Sequence, residues 1–167
     1  MERFKTLFFV KSSLISLYLA LTIPIPFISI AELKIFSITL FFLGLFLIFN
    51  ITNDYIETDD KKIQYKTNIF SNAFGKKNWE IFWKDIISIK FLPTSQGSRV
   101  YYFVTNKDEN YLIPQRVENF KQFLNTISKN TGFNVDDMSY ISPLWTYKLL
   151  TLISITMIVG EIIGFLH

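Results

Sequence analysis

The residues that could do chemistry in this sequence are few and scattered. Cysteine is absent, and the single histidine, His167, is the last residue. Thiol nucleophiles, thiolate metal sites and an internal histidine base are therefore disfavoured. Carboxylates are present at Asp54, Glu80 and Asp85, but no spacing places two of them in one defined cleft. We therefore predict a protein that is not an enzyme, with no metal, no other cofactor and no evident small-molecule substrate; a pigment bound to His167 is an open alternative.

One polar segment is a candidate for binding a partner. It contains a glycine among hydroxyl, amide and guanidinium side chains and lies between two predicted strands. Backbone amides in such a loop could bind an anion or a partner peptide. A solvated connection without a binding role is the alternative. The residues of this candidate partner-binding loop are Thr94, Ser95, Gln96, Gly97, Ser98 and Arg99.

Three charged side chains are candidates for contact with lipid or with the interior of a membrane. Lys76 and Lys77 occupy a second predicted loop, where they could contact anionic lipid headgroups. Two solubilising lysines are the alternative. Glu161 lies within an apolar segment, and a carboxylate in such a place often faces a partner or a cavity. Because it is about two turns from the last residue, it could instead reach the membrane interface.

Three long apolar segments frame these candidates. Half of the 167 residues are hydrophobic, and the mean hydropathy of +0.28 is high for a soluble domain. Ser12–Ile30 carries no charge, Leu33–Ile51 carries only Lys34, and Leu144–Leu166 begins after a proline. Each is long enough, at about 20 residues, to cross a bilayer as a helix. The short connection between the first two predicts an antiparallel transmembrane hairpin.

The first apolar segment contains two prolines in its last third. Proline removes a backbone donor, so we expect the regular helix to stop near Ile23, to begin nearer Phe4, and to be followed by a compact loop up to Leu33. Cleavage of a signal peptide after Ala31 is the alternative. The length of the apolar run and the second span that follows argue against cleavage.

Alternating apolar and polar residues predict about six antiparallel strands after the second apolar segment. The stretch Asn78–Leu92 (NWEIFWKDIISIKFL) is central, and we expect it to divide into two strands near Asp85. Apolar residues from Val117 to Ile127 recur at helical spacing, and Gly132 is a natural stop. The other predicted strands are Asp54–Thr58, Ile63–Asn68, Val100–Thr105 and Tyr111–Pro114, with a loop at Ile69–Lys77.

The predicted fold is therefore an α+β membrane protein in three parts. Residues 1–52 form a transmembrane hairpin, residues 53–134 a sheet domain with a closing helix, and residues 143–167 a third span. Basic residues precede the first span and follow the second, which places the N-terminus and the sheet domain in the cytoplasm or stroma and the C-terminus on the opposite side. No basic stripe for nucleic acid is present. The expected partners are membrane lipids and subunits of a membrane complex.

The pattern from Tyr55 to Phe133 resembles the pleckstrin-homology-like domains of bacterial membrane proteins. Those domains share the antiparallel strands, the closing helix and a step of the form seen here in Trp83–Ile89 (WKDIISI). The family usually has proline where this chain has Trp83 or Lys84. The resemblance implies a non-catalytic module, either a scaffold or a sensor of lipid or stress.

A narrower resemblance is to the photosystem I assembly factors of chloroplasts and cyanobacteria. They are similar in having an N-terminal membrane hairpin followed by a domain of this size, and in an Ile-Pro step before Arg-Val, here Ile113–Val117 (IPQRV). The third span departs from their pattern. This resemblance implies a thylakoid or plasma membrane protein that helps to assemble a membrane complex.

Overall fold

The structure, a computed structural model, describes residues 1–166, with side chains as far as residue 165. It divides into two compact units, which we name the sheet unit and the helical unit. The sheet unit is Met1–Leu7 with Asn53–Pro143, and the helical unit is Phe8–Thr52 with the chain from Leu144 onward. The α+β architecture is confirmed, with apolar helices before and after antiparallel sheets. The possible pigment ligand His167 lies outside the described residues.

Regular elements cover most of the described chain. In chain order they are β1 (Glu2–Lys5), α1 (Phe8–Thr22), α2 (Pro24–Ile28), α3 (Ala31–Ile51), β2 (Tyr55–Thr58), β3 (Lys62–Lys66), α4 (Ile69–Ala73), β4 (Trp79–Phe82), β5 (Ile86–Pro93), β6 (Arg99–Thr105), β7 (Asn110–Leu112), α5 (Phe120–Thr131) and α6 (Leu144–Leu166).

The strands of the sheet unit form two antiparallel sheets. One has the order β1-β2-β3-β4 and the other has the order β5-β6-β7. β1 was not predicted, and the expected helix from Phe4 is wrong. Phe4 lies opposite Ile56 of β2, and its side chain is buried. A strand of four residues is too short to show a period, and its partner lies about 50 residues further on.

The predicted break in the central stretch is confirmed. A single 3₁₀ turn, Trp83–Asp85, separates β4 from β5 and thereby joins the two sheets. Trp83 is buried, and its indole N–H donates to the carbonyl of Asp59 at 2.8 Å. The turn therefore acts as a fixed corner between the sheets.

The closing helix α5 packs its predicted apolar stripe on the core. Phe120, Phe123, Leu124 and Ile127 are buried. The helix begins later than the pattern predicts because Val117 is extended and bridges to Thr6, just beyond β1. It ends at Gly132, as predicted, where a φ of 74° favours glycine.

Two predicted loops contain short helices. The expected loop after the first apolar helix is wrong, because residues Pro24–Ile28 form α2. α1 does end at Thr22, close to the predicted position. Proline is tolerated in the first turn of a helix, where its missing N–H has no intrahelical partner. The expected loop at Ile69–Lys77 likewise contains α4.

The helical unit has three helices that are long and apolar enough to cross a membrane: Phe8–Ile28, Ala31–Ile51 and Leu144–Phe165. α1 packs against α6, and three of its four buried residues, Ser13, Ser16 and Ala20, are small, which allows close approach. Ser13 of α1 and Ser154 of α6 are buried. Their hydroxyls donate to carbonyls in the preceding turn of their own helices, at 3.0 Å and 2.8 Å, so neither needs a partner on another helix.

Candidate partner-binding and membrane-facing surfaces

The predicted partner-binding loop is the turn of the hairpin formed by β5 and β6. The amides of Thr94 and Gly97 donate to the carbonyls of Ser98 and Thr94, at 2.7 Å and 3.0 Å. The amide of Ser98 donates to the Thr94 hydroxyl at 3.1 Å, and Gly97 has a φ of 77°. Three amides are thus used within the turn. The loop offers its exposed side chains to a partner, including those of Ser95, Gln96 and Arg99.

Two apolar side chains next to this loop are exposed. Phe91 and Leu92 of β5 are 52% and 58% exposed. The Arg99 guanidinium lies 4.7 Å from the centroid of the Phe91 ring. We name Phe91, Leu92 and the loop Thr94–Arg99 the hairpin surface. Its apolar part was missed in the sequence, although the run Phe91-Leu92-Pro93 breaks the polar alternation of the strand.

A buried glutamine holds the base of this hairpin. The Gln115 side-chain amide donates to the carbonyls of Arg99 and Ser139, at 2.9 Å and 2.8 Å. Gln115 is 5% exposed. The hairpin surface is therefore carried on a fixed base.

The two predicted lipid-binding lysines have different surroundings. Lys76 forms an ion pair with Asp54, whose side chain is 4% exposed. Lys77 is exposed. The charge of Lys76 thus compensates a buried carboxylate, while Lys77 projects into solvent. Contact of either lysine with lipid stays a prediction.

Asp54 is the centre of a buried polar cluster that sequence analysis did not find. Its carboxylate accepts hydrogen bonds from the Ser71 and Tyr65 hydroxyls, at 2.8 Å and 3.0 Å, in addition to the Lys76 pair. Burial and the Asp54 charge raise the pKa of Tyr65. The donors come from β3, α4 and the segment after α4. Strand pairing brings these residues together from distant positions. No local sequence pattern could therefore have predicted the Asp54 cluster.

A second buried carboxylate lies on β2. The Glu57 side chain is 4% exposed and pairs with Lys66 of β3 and Arg3 of β1. The hydrogen bond from Lys66, followed by that from Arg3, lowers the pKa of Glu57. The Arg3 guanidinium also lies 4.3 Å from the Tyr55 ring centroid. The cluster ties β1 to the rest of its sheet.

The Glu57 cluster predicts loss of stability in acid. Because the pKa of Glu57 is lower in the folded state, its contribution is full above its ordinary value of 4.5 and is lost as pH falls through the folded pKa. We expect Glu57→Gln to flatten the fall of the urea midpoint below about pH 4.5. Lys66→Ala should flatten it partly. Equal acid slopes in the wild type and Glu57→Gln would show that another group governs the transition.

The predicted intramembrane carboxylate lies on α6. Glu161 is partly buried, and its Oε2 atom is enclosed without a hydrogen-bond partner among the described side chains. The Tyr147 hydroxyl of the same helix is also enclosed without a hydrogen-bond partner among the described side chains. Neither group is joined to another predicted site residue.

The fold defines a class of protein. It is an α+β protein that combines a small sheet domain closed by a helix with three helices long and apolar enough to cross a membrane. The chain is 31% identical to the uncharacterized protein slr0269 of Synechocystis sp. over 149 residues, which cover 86% of this chain and 75% of that protein. The chain belongs to the same family as slr0269. No protein-family model and no solved structure matches the chain.

Proposed function

We propose that this protein is an integral membrane protein whose sheet unit binds subunits of a membrane complex during assembly. The spans are α1 together with α2, then α3, then α6. Their length and apolar surface support insertion, since α3 in particular has almost no buried side chains within the chain. Lipid or a partner helix would cover this surface.

The pairing of β1 with β2 supports one relative topology for such a protein. β1 precedes the first span and β2 follows the second, yet Arg3 lies opposite Glu57 in one sheet. Both strands must therefore lie on the same side of the membrane. The basic residues favour the cytoplasmic or stromal side for this unit, and the region between α2 and α3 then lies on the other side.

This topology predicts a pattern of labelling. The chain has no cysteine, so single-cysteine variants carry no background. In sealed inside-out vesicles, Lys5→Cys and Asn110→Cys should react with a membrane-impermeant maleimide, and Ile28→Cys should react only after permeabilisation. Protection of Lys5→Cys together with labelling of Asn110→Cys would contradict the proposed topology.

The sheet unit supports the relationship to pleckstrin-homology-like domains. Four strands form one sheet, three form the other, and α5 packs over the shared core. The turn Trp83–Asp85, which begins the WKDIISI step that resembles those domains, is the corner between the sheets. In this chain the membrane hairpin is inserted between the first and second strands.

The main support for the assembly role is the hairpin surface. Exposed apolar side chains grouped with an arginine are typical of residues that dominate protein interfaces. Phe91, Leu92 and Arg99 are such a group and lie on a hairpin held by Gln115. The client that we propose is a photosynthetic complex of the thylakoid membrane, as the resemblance to the photosystem I assembly factors implies.

The assembly role is tested with tagged full-length protein in a cyanobacterial host. Cross-linking and mass spectrometry after mild solubilisation should recover subunits of one membrane complex at sub-mature stages. Phe91→Ser with Leu92→Ser should abolish this recovery. Ile87→Ser, which alters an exposed residue of the same strand outside the hairpin surface, is the control and should preserve it. Normal complex accumulation in a deletion strain, with recovery of the protein alone, would refute the role.

A sensor of anionic lipid or membrane stress is the second candidate, and the exposure of Lys77 favours it. In that case, tryptophan emission of the reconstituted protein should differ between phosphatidylglycerol and phosphatidylcholine bilayers. Lys77→Glu should remove the difference, since it reverses the charge that attracts the headgroup. Identical emission in both lipids would exclude this candidate.

A further inference from the structure

We propose that the segment from Thr67 to Asn78, which we name the α4 loop, is an anchor that inserts two apolar side chains into the interface of an anionic bilayer. The inserted side chains are Ile69 and Phe74, with Lys77 beside the headgroup phosphates. The inference rests on the proposal that α1 and α3 span the membrane. It adds a further contact between the sheet unit and lipid.

The two apolar side chains project from the sheet unit. Ile69 is 81% exposed and Phe74 is 65% exposed, while Ser71 between them is fully buried. Ile69 therefore projects outward from the first residue of α4 and Phe74 from the residue that follows the helix, while Ser71 is on its inner side. Apolar side chains on the outer side of an interfacial helix enter the boundary between headgroups and acyl chains.

The α4 loop is held in this conformation by its polar residues. The Asn78 side-chain carbonyl accepts hydrogen bonds from the amide and hydroxyl of Thr67, at 2.6 Å and 2.9 Å, and so closes the base. Ser71 and Lys76 both bind the Asp54 carboxylate. These contacts hold Ile69 and Phe74 outward.

The attachment point of the α4 loop is the place where the chain leaves two spans. Asp54 follows the last residue of α3, Ile51, by three positions. Its carbonyl accepts hydrogen bonds from the Thr6 amide and hydroxyl, at 3.2 Å and 2.9 Å, and Thr6 lies two positions before α1. Three extended residues reach about 10 Å. Chain length alone therefore keeps the base of the loop close to the membrane surface.

The charge of the α4 loop favours an anionic lipid surface over an uncharged one. From Thr67 to Asn78 the sequence carries two lysines and no acidic residue. Asp54 neutralises Lys76, and Lys77 adds an exposed positive charge next to Phe74. Apolar side chains with an adjacent cation are the combination that binds the interface of anionic membranes.

The test uses nitroxide spin labels on single cysteines in the full chain, reconstituted in an equal mixture of phosphatidylcholine and phosphatidylglycerol. Power saturation compares access of oxygen with access of a water-soluble nickel chelate. We expect labels at Ile69→Cys and Phe74→Cys to favour oxygen, at a depth of about 5–10 Å. The control Ile87→Cys, an exposed apolar position on β5, should favour nickel.

A label at Phe42→Cys, an exposed position near the centre of α3, separates this inference from the proposal that α3 spans the membrane. If Phe42→Cys is deep in the bilayer but labels at Ile69→Cys and Phe74→Cys resemble the Ile87→Cys control, the anchor is refuted and the spans stand. If Phe42→Cys is also aqueous, both proposals fail. Adding Lys77→Glu to Phe74→Cys should make the label shallower. An unchanged depth would overturn the role assigned to anionic lipid.

Discussion

Phe4→Ala should lower the free energy of unfolding of the sheet unit by about 3–5 kcal/mol, as large a loss as for a phenylalanine in the centre of a core. The side chain is 3% exposed, and its ring centroid lies 5.2 Å from that of Phe123 on α5. Alanine would leave a cavity between β2 and the closing helix. The fourth residue of the sequence thus contributes to the core of the sheet unit.

The measurement is urea unfolding of the full chain in detergent micelles. Trp145 of α6 is replaced by phenylalanine in every variant, so the fluorescence comes from Trp79 and Trp83, both of which lie in the sheet unit. Phe82→Ala is the matched control because Phe82 is 44% exposed on β4, and its loss should be below about 1 kcal/mol. Equal losses in the two variants would show that β1 is not part of the folded sheet.

In the topology that we propose, the position of β1 couples folding of the sheet to insertion of α1 and α3 into the membrane. The hydrogen-bonding partner of β1, β2, is synthesised only after both helices. In that topology the first sheet is completed only when the start of α1 and the end of α3 are on the same side. Variants that weaken β1 should consequently increase the fraction of inserted protein with an unfolded sheet unit.

Asp54→Ala should lower the free energy of unfolding by about 2–3 kcal/mol, because it removes the common acceptor of a buried hydrogen-bonded group. The hydroxyl of Ser71, which is fully buried, loses its hydrogen bond to Asp54. The hydroxyl of Tyr65 loses its hydrogen bond to the same carboxylate. The pair with Lys76 is lost as well, although Lys76 is partly exposed and can be hydrated.

The same urea assay measures this loss, and Asp60→Ala is its control. Asp60 is exposed in the turn between β2 and β3, so its loss should be within about 0.5 kcal/mol. Ser71→Ala should cost about 1 kcal/mol, the usual contribution of one hydrogen bond. If Asp54→Ala and Asp60→Ala have equal effects, the Asp54 cluster is not a stabilising centre.

Most elements were predictable because their patterns are long or strongly periodic. The break near Asp85 followed from two runs of alternating residues, and the apolar stripe of α5 followed from its helical spacing. The prediction was wrong for β1 and for the loops that contain α2 and α4. Each of these is only four or five residues long, too short for either period to be recognised.

The candidate surfaces were predictable only in part. The loop Thr94–Arg99 and Lys77 are where polar residues break the apolar pattern. Lys77 and most of the loop are exposed, whereas Thr94 and Ser98 are partly buried. The role of Lys76 as the partner of Asp54 could not be foreseen, because 22 positions separate the two residues. The exposure of Phe91 was also hidden, since apolar residues in strands are usually buried.

The sequence by itself determined the class of the fold, because hydrophobic length and period are local properties. Neighbouring residues alone are enough to recognise the three apolar segments, the alternating strands and the amphipathic helix. Tertiary structure alone decided that β1 completes the first sheet, that the buried carboxylates of Asp54 and Glu57 pair with cations, and that Ile69 and Phe74 project outward. Those features depend on pairing between distant residues, which no local pattern contains.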